Sequence, residues 1–569
     1  MYDDLTKFAV LHGTDKFGYH DYTPVYHGLL QRFRDRPVRL LEIGVGGYGS
    51  EDQGGESLAT WRDYFPQGRI VGIDIAKKAL DLGPRVRIAE GSQVDEAFLS
   101  RIVAEEGPFD IILDDGSHRN EHVVATFALL FPTLAAGGIY IVEDLQTAFF
   151  PRFGGSSDLT QPNSVGFFAA LIERLLGGQD VPAIAGVPAE GLVGMERFHN
   201  IVVLHKAAGN DAVAPPPGWL PAPGAQHGAS ALRERDAALT PAALEAAFGA
   251  LAEGEALLLR RAGGAVDAAL RGFLTERFVE LDHVERAVHF PDAARHPMAG
   301  TLRAMAASAG SLALWKAENT YPSNFAYDLD HPRVAAAVAR MREILAEAEA
   351  GPGGLSFAAM LTRFGREAEA LSLVERYDRA APQSRRYYEL AVMLLRRAGR
   401  EAEALPLLEA AVRLYPGDPV QAATLAAHLV RIRDYGRASA VLDEAIARSP
   451  RARALHSQMA RARLAKGDFD GAAASARTAI SLTPRTARLP MNTLLGQILL
   501  RKGDLAAAAA HLAELAAEAP ENDRVLRLVS EVLLRQGDRA GALEAIDKAL
   551  RLSPEAPDLL RRREALASR

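Results

Sequence analysis

Two adjacent acids and a histidine, Asp114, Asp115 and His118, close the apolar run FDIILDDGSH (109–118). Neighbouring carboxylates repel each other, so such an ending calls for something cationic, or something that must lose a proton. A second acid pair, Glu143 with Asp144, closes the run GGIYIVED (137–144). Carboxylates ligate hard cations and an imidazole exchanges protons near neutral pH, so cation binding coupled to proton removal is the chemistry within reach. The plainer alternative makes the acids helix caps or loop groups and His118 a cap on the helix that follows. Two strand ends carrying acids together favour a site. His122, four residues beyond His118, reads as a solvated neighbour on the same helix.

These groups need a scaffold that brings the ends of separate strands together. Strand-like runs VRLLEIG (38–44), RIVGIDI (69–75), RVRIAEG (85–91), FDIILDD (109–115) and GGIYIVED (137–144) alternate with helical stretches. MERFHNIVVLHK (195–206) reads as a hairpin. Short, nearly continuous β-rich runs joined by helices predict an α/β domain with a parallel sheet buried on both faces. Ligands of such sheets sit at the carboxyl ends of the strands, where Asp74, Asp114, Asp115, Glu143 and Asp144 all fall. The run 122–142 is long enough to suggest a membrane span, but Pro132, Gly137 and Gly138 divide it into helix, turn and strand, so no span is expected.

The first strand runs into EIGVGGYGS (42–50), where Gly44, Gly46 and Gly49 satisfy G-x-G-x-x-G. A nicotinamide dinucleotide is therefore an alternative. It is disfavoured by Glu42 directly before the loop, by SEDQGGE where a helix should open, and by Asp74 standing 30 residues beyond Gly44. A ligand with a cationic centre and a ribose suits the site better. S-adenosylmethionine has both: Glu42 faces its amino-acid end and Asp74 its ribose hydroxyls, with Ser92 an adenine-side contact.

Five segments in order, HGTDKFGYHDYTPVY, LLEIGVGGYG, WRDYFPQGRIVGIDI, ILDDGSH and GGIYIVEDLQTAFFPRFGG, resemble the macrocin and mycinamicin type of sugar O-methyltransferases over about residues 10–207. The resemblance implies a Rossmann-like class I methyltransferase fold, S-adenosylmethionine as donor and a divalent cation, usually Mg²⁺. By matching motif it implies Asp115, Glu143 and Asp144 as metal ligands and His118 as general base. Asp114 then serves the adenosyl site or supports the ligands. The GTDK segment, Gly13 to Lys16, either covers the donor site or is an amino-terminal turn; Tyr22 and Thr23 carry less weight. The implied reaction is methylation of a sugar hydroxyl on a glycoconjugate or glycosylated secondary metabolite. The competing class is a non-catalytic, donor-binding scaffold.

The carboxy-terminal third is an array. Gly365, Gly399, Arg433, Gly467, Gly503 and Gly537 recur at intervals of 34, 34, 34, 36 and 34. An alanine stands five residues after each and a proline seventeen after, from Ala370 and Pro382 to Ala542 and Pro554. That register resembles the tetratricopeptide repeat: a turn between antiparallel helices, a close helix crossing and a helix stop. Such repeats bury their apolar faces only by stacking, and they present a surface for a protein or peptide partner, or for another copy of the chain.

The expected organisation is a methyltransferase domain over 1–207, a Pro/Gly-rich linker and largely helical region over 208–350, and about six repeats over 351–569. The loop WKAENTYPSNFAYDLDHP (315–332) reads as packing in preference to sugar stacking. The chain has no cysteine, which excludes disulfides, thiolate metal sites and a cysteine nucleophile and fits a reducing cytoplasm. No signal peptide is expected from its acidic, mixed amino terminus. A formal net charge of −7 lacks the basic excess of a nucleic-acid protein.

Overall fold

The structure is a computed structural model. It describes residues 3–48, 51, 53–156, 163–177, 183–184, 187–188, 190–208, 232–236, 239–260, 266–291, 295–308, 311–322, 324–325, 328–347, 352–378, 384–484, 487–553 and 556–567. Gly49, Pro382, Pro554 and nearly all of the Pro/Gly-rich stretch lie outside the described residues. The chain divides into two compact units, Met1–Ala381 and Pro382–Arg569.

In the first unit, the strands β1 (Arg39–Ile43), β2 (Arg69–Asp74), β3 (Val86–Glu90), β4 (Ile111–Asp114) and β5 (Ile139–Val142) form where the apolar runs predict them. All pair in parallel, in the order β3-β2-β1-β4-β5. A short hairpin of β6 (Ala183–Ile184) and β7 (Val187–Pro188) stands apart from this sheet. The hairpin of β8 (Leu192–Phe198) and β9 (Ile201–Lys206) then inserts β9 antiparallel against β5. Helices α1 (Asp4–His12), α2 (Thr23–Leu30), α3 (Glu56–Tyr64), α4 (Glu96–Glu106), α5 (Asn120–Leu130) and α6 (Ser164–Leu176) complete this part. Apolar side chains alternate between two cores, Leu41, Ile43 and Ile112 on one face and Leu40, Ile111 and Leu113 on the other. Burial on both faces explains why these strands are continuous apolar runs. This is the Rossmann-like class I methyltransferase sheet expected from sequence, and its switch point between β1 and β4 opens at their carboxyl ends.

The sheet does not stop at Lys206. Strands β10 (Leu232–Asp236), β11 (Ala256–Arg260), β12 (Leu302–Ser308) and β13 (Ser311–Lys316) extend it to eleven strands through β12, which pairs antiparallel with β8. Helices α7 (Pro241–Gly249), α8 (Ala268–Glu280), α9 (His283–His289) and α10 (Pro332–Glu347) accompany them. The expectation of a largely helical middle region is thus corrected: helices and strands alternate there. The added arm repeats the arrangement of 111–206. In each, two parallel strands joined by a helix are followed by helical segments (α6 in one, α8 and α9 in the other) and an antiparallel strand pair, the second strand of that pair inserted beside the parallel two. The two arms meet at their hairpins, as in a pseudo-twofold. The arm covers the β8 edge with backbone partners, and the outer β10, LRERD, carries the charges that blunt an exposed edge.

The second unit is a succession of helix pairs, from Arg385–Arg397 to Arg539–Leu552, closed by Pro557–Ala567. The first of the six turns, at Gly365, lies in the first unit between α11 (Pro352–Arg363) and α12 (Glu367–Asp378). Ala370, Ala404, Ala438, Ala472, Ala508 and Ala542 are all fully buried, as close helix crossings require. The aspartates after the last four turns, Asp434, Asp468, Asp504 and Asp538, each cap the following helix by accepting from the backbone N–H three residues on.

The five turn glycines have φ between +68° and +89°, and Arg433 is forced into the same conformation at +64°. An L-residue pays about 1–2 kcal/mol there, and glycine does not. Arg433→Gly is expected to stabilise the chain by about 1 kcal/mol, read as a raised denaturation midpoint at unchanged m-value.

Candidate active site

The glycine turn leaves β1 at Gly44, whose φ is +93°. A Cβ there would lie 2.2 Å from the Asp115 carbonyl oxygen, so only glycine lets the two loops at the switch point touch. Gly46 follows at φ +77°. Asp74, at the end of β2, accepts from the Val45 N–H at 3.0 Å and the Ala76 N–H at 2.8 Å, fastening the turn to the neighbouring strand. Glu42 is fully buried beneath it, its Oε2 accepting from Ser57 Oγ at 2.8 Å and Trp61 Nε1 at 3.1 Å. Burial, opposed by Lys16, pushes its carboxyl up to about 7. Ser92 Oγ accepts from the Val94 N–H at 3.3 Å.

Asp114 faces inward: its carboxylate accepts from Gln93 Nε2 at 3.2 Å and Tyr140 OH at 3.3 Å. Gln93 Oε1 in turn accepts from the Ser117 N–H at 2.8 Å, so Gln93 and Asp114 shape the loop that presents Asp115 and His118. Burial raises the Asp114 carboxyl from 3.8 to about 7. The folded chain therefore keeps a proton that the unfolded chain releases. Stability from this group is greatest at acid pH, declines as pH rises between those two values, and stays at its lowest above about 7. Asp114→Asn keeps the shape, its Oδ1 still accepting from Gln93 Nε2 while its Nδ2 donates to the Tyr140 hydroxyl oxygen. It is expected to stabilise the metal-free protein by on the order of 2–4 kcal/mol at pH 8 and by less at pH 5, read by thermal denaturation in chelator.

Asp115, His118 and Asp144 each place one ligand atom within 4.8 Å of the others. His118 Nε2 lies 3.9 Å from Asp115 Oδ1 and 3.9 Å from Asp144 Oδ2. His118 and Asp144 hold left-handed backbones at φ +55° and +54°, a cost that residues other than glycine bear where function needs their direction. His118 does not cap a helix: α5 starts at Asn120 with Arg119 at its cap position. His122 belongs to α5 and pairs with Ser117 Oγ at 2.8 Å, whereas His118 precedes that helix.

Glu143 points elsewhere. Its Oε1 accepts from Lys16 Nζ at 2.7 Å and Tyr26 OH at 2.6 Å. Lys16, the last residue of GTDK, is almost fully buried and also donates to Asp115 Oδ2 at 2.7 Å, with Glu42 Oε1 3.4 Å away. Burial works against its charge, but Asp115, Glu143 and Glu42 outweigh it and hold the ammonium well above its ordinary pKa. Burial also raises Asp115, and it raises Glu143 further with help from Asp115. At Asp144 burial is outweighed by His20, His118 and the Tyr22 hydroxyl, which keep the carboxyl below its ordinary value. Tyr22 OH donates to Asp144 Oδ1 at 2.7 Å.

The GTDK segment is thus part of the site, fixed from behind. Arg340 on α10 covers the Phe17 ring at 5.4 Å, Arg363 on α11 covers Tyr19 at 4.8 Å, and the Phe325 N–H donates to Tyr19 O at 2.8 Å. In the 315–332 segment, Tyr321 and Phe325 are buried, which favours packing for these two rings. Lys16, Tyr22, Tyr26 and Gln93 were not foreseen as contacts of the acids; for Lys16 and Tyr22 the signal was the unexplained polar motif at 13–23. Two converging carboxylate oxygens, from Asp115 and Asp144, fit a hard divalent cation, with no soft ligand beside them among the described residues and the His118 imidazole placed next to the pair to take a proton. Glu143 is held on the Lys16 side of that cluster.

Comparison with known proteins finds matches in the amino-terminal and carboxy-terminal parts of the chain. The tetratricopeptide repeat profile matches residues 424–487 and 493–557. The amino-terminal part is 42% identical over 219 residues to the 8-demethyl-8-(2-methoxy-alpha-L-rhamnosyl)-tetracenomycin-C 3'-O-methyltransferase of Streptomyces olivaceus, covering 37% of this chain and 56% of that one. It is 39% identical over 225 residues to the mycinamicin VI 2''-O-methyltransferase of Micromonospora griseorubida, covering 38% and 56%. Among solved structures, the MycE methyltransferase in complex with Mg, SAH and mycinamycin VI is 40% identical, with a TM-score of 0.34, over 38% of this chain and 57% of that one. The chain spans about half the length of the curated relatives it matches. Among the described residues, no helix is long and apolar enough to cross a membrane.

Proposed function

We propose that the first unit is a metal-dependent S-adenosylmethionine O-methyltransferase acting on a sugar hydroxyl of a glycosylated small molecule or glycoconjugate. The observation that carries this reading is the convergence of Asp115, His118 and Asp144 at two adjacent strand ends beside the Gly44 turn. Relatives named as O-methyltransferases of a rhamnosyl-tetracenomycin and of mycinamicin VI support it.

Methyl transfer forms an oxygen–carbon bond, breaks the donor's sulfur–carbon bond and releases the hydroxyl proton. A sugar hydroxyl is a poor nucleophile until that proton leaves. His118 Nε2 is the acceptor for it, aimed between the two carboxylates. A bound divalent cation supplies polarisation of the acceptor hydroxyls. Asp115 and Asp144 would hold that cation, while Glu143 stays paired with Lys16 and Tyr26 beside them. Gly44 and Gly46 let the turn approach the donor, Asp74 and Ser92 serve its ribose and adenine, Glu42 lies beneath its amino-acid end, and Asp114 keeps the loop in place. The repeats recruit a protein or peptide partner, or a second copy of the chain, and a cytoplasmic setting fits the chain's lack of cysteine.

The test is incubation with methyl-labelled donor, Mg²⁺ and a panel of deoxysugar glycosides. Label transferred to a sugar oxygen is expected. Donor binding without turnover across rhamnosyl, macrolide and nucleotide-linked acceptors would instead mark a scaffold.

A further inference from the structure

His199 and Asn200 make the two-residue turn between β8 and β9, and Asn200 holds φ +65°. On one side this turn is gripped by the added arm. The Asn200 N–H donates to Asp282 Oδ1 at 2.6 Å, Arg197 Nη2 donates to Asp282 Oδ2, and His199 Nε2 lies 2.5 Å from Glu285 Oε2. Asp282 and Glu285 are fully buried, beside and within α9.

On the other side Asn200 meets the metal-site loop. Its Nδ2 donates to Asp144 Oδ1 at 3.3 Å and to Tyr22 OH. Its Oδ1 accepts from the Gln146 N–H at 2.7 Å, and its carbonyl accepts from the Leu145 N–H at 3.3 Å. Two non-glycine residues in left-handed conformations, Asp144 and Asn200, are therefore bound to each other. Tyr22 and Asn200 both engage Asp144 Oδ1, which leaves Oδ2 turned toward His118.

We propose that Asn200, anchored by Asp282, is a positioning residue for the Asp144 carboxylate, so that the second sheet arm helps build the cation site. This rests on reading Asp144 as a cation ligand. Groups that orient a ligating carboxylate typically govern metal affinity by about 10–100-fold. The arm is accordingly a working part of the catalytic unit.

The test uses the full chain and Mn²⁺ alone, titrated by electron paramagnetic resonance, with S-adenosylhomocysteine binding measured beside it. Asn200→Gly deletes the amide while suiting the positive φ, so the turn keeps its conformation. Asp282→Asn is the second variant. Both are expected to weaken Mn²⁺ by about 10–100-fold and leave S-adenosylhomocysteine affinity unchanged. Wild-type Mn²⁺ affinity in Asn200→Gly overturns the inference and leaves the proposed function standing. A wild-type chain that binds S-adenosylhomocysteine but no Mn²⁺ overturns the metal reading, and this inference with it.

Discussion

Replacing His118 by asparagine is expected to lower the rate of methyl transfer by about 10²–10⁴-fold, the usual contribution of a positioned general base. Asparagine is the better probe because the residue sits at φ +55°, which asparagine tolerates and alanine does not. The His118 ring nitrogen is equidistant from Asp115 and Asp144, 3.9 Å from each, so a hydroxyl oriented by those acids presents its proton to it. Under the proposed reading, donor binding belongs to the Gly44 turn, Asp74 and Glu42, and so is expected to survive. Steady-state rates with equilibrium S-adenosylhomocysteine binding check both halves. Retained turnover would remove His118 from the chemistry.

The largest stability effect is expected at Lys16. Among the described residues, its ammonium is the cation that Glu143, Asp115 and Glu42 share, at 2.7, 2.7 and 3.4 Å, with almost no solvent access. Lys16→Met leaves buried carboxylates uncompensated, which costs about 3–5 kcal/mol. The ammonium's folded-state pKa lies above the ordinary 10.5, so its contribution is fully present below that pH and is lost only as pH climbs through the higher value. Denaturant unfolding in chelator at neutral pH measures the loss. A second change, Glu143→Gln, is expected to recover part of it, because the pair is coupled. Lys16→Met unfolding at the wild-type midpoint would mean that the acids are neutral without it.

Much of this site was legible in the sequence because each group ends an apolar run. Asp114 and Asp115, Glu143 and Asp144, Glu42 and the glycines all stand at strand ends, and a parallel sheet necessarily gathers strand ends. Lys16 was not legible in the same way. It reaches Asp115 and Glu143 across 99 and 127 residues, from a segment outside the strand–helix alternation. The orientation of Glu143 was hidden for the same reason, since Lys16 and Tyr26 hold it.

The added sheet arm was missed on physical grounds. LRAMAAS and SLALWK are rich in alanine and leucine, residues with weak intrinsic strand preference and good helix formers, and lack the polar–apolar alternation of a half-buried strand. They are strands because β8 offers an edge with unpaired backbone groups, and β12 satisfies it. In the repeats, by contrast, contacts are local. The spacing of Gly399, Ala404 and their counterparts therefore mapped directly onto helix pairs, and Arg433 kept the turn although it is not a glycine.

The account turns on whether Asp115 and Asp144 together grip a cation within reach of His118. Anomalous scattering from crystals grown with Mn²⁺ and S-adenosylhomocysteine measures this directly. One ion between those two carboxylates, at the edge of the His118 imidazole and beside the Gly44 turn, is the expected result. An ion bound elsewhere, with Asp115 still paired only to Lys16 and Asp144 only to Tyr22 and Asn200, would contradict it.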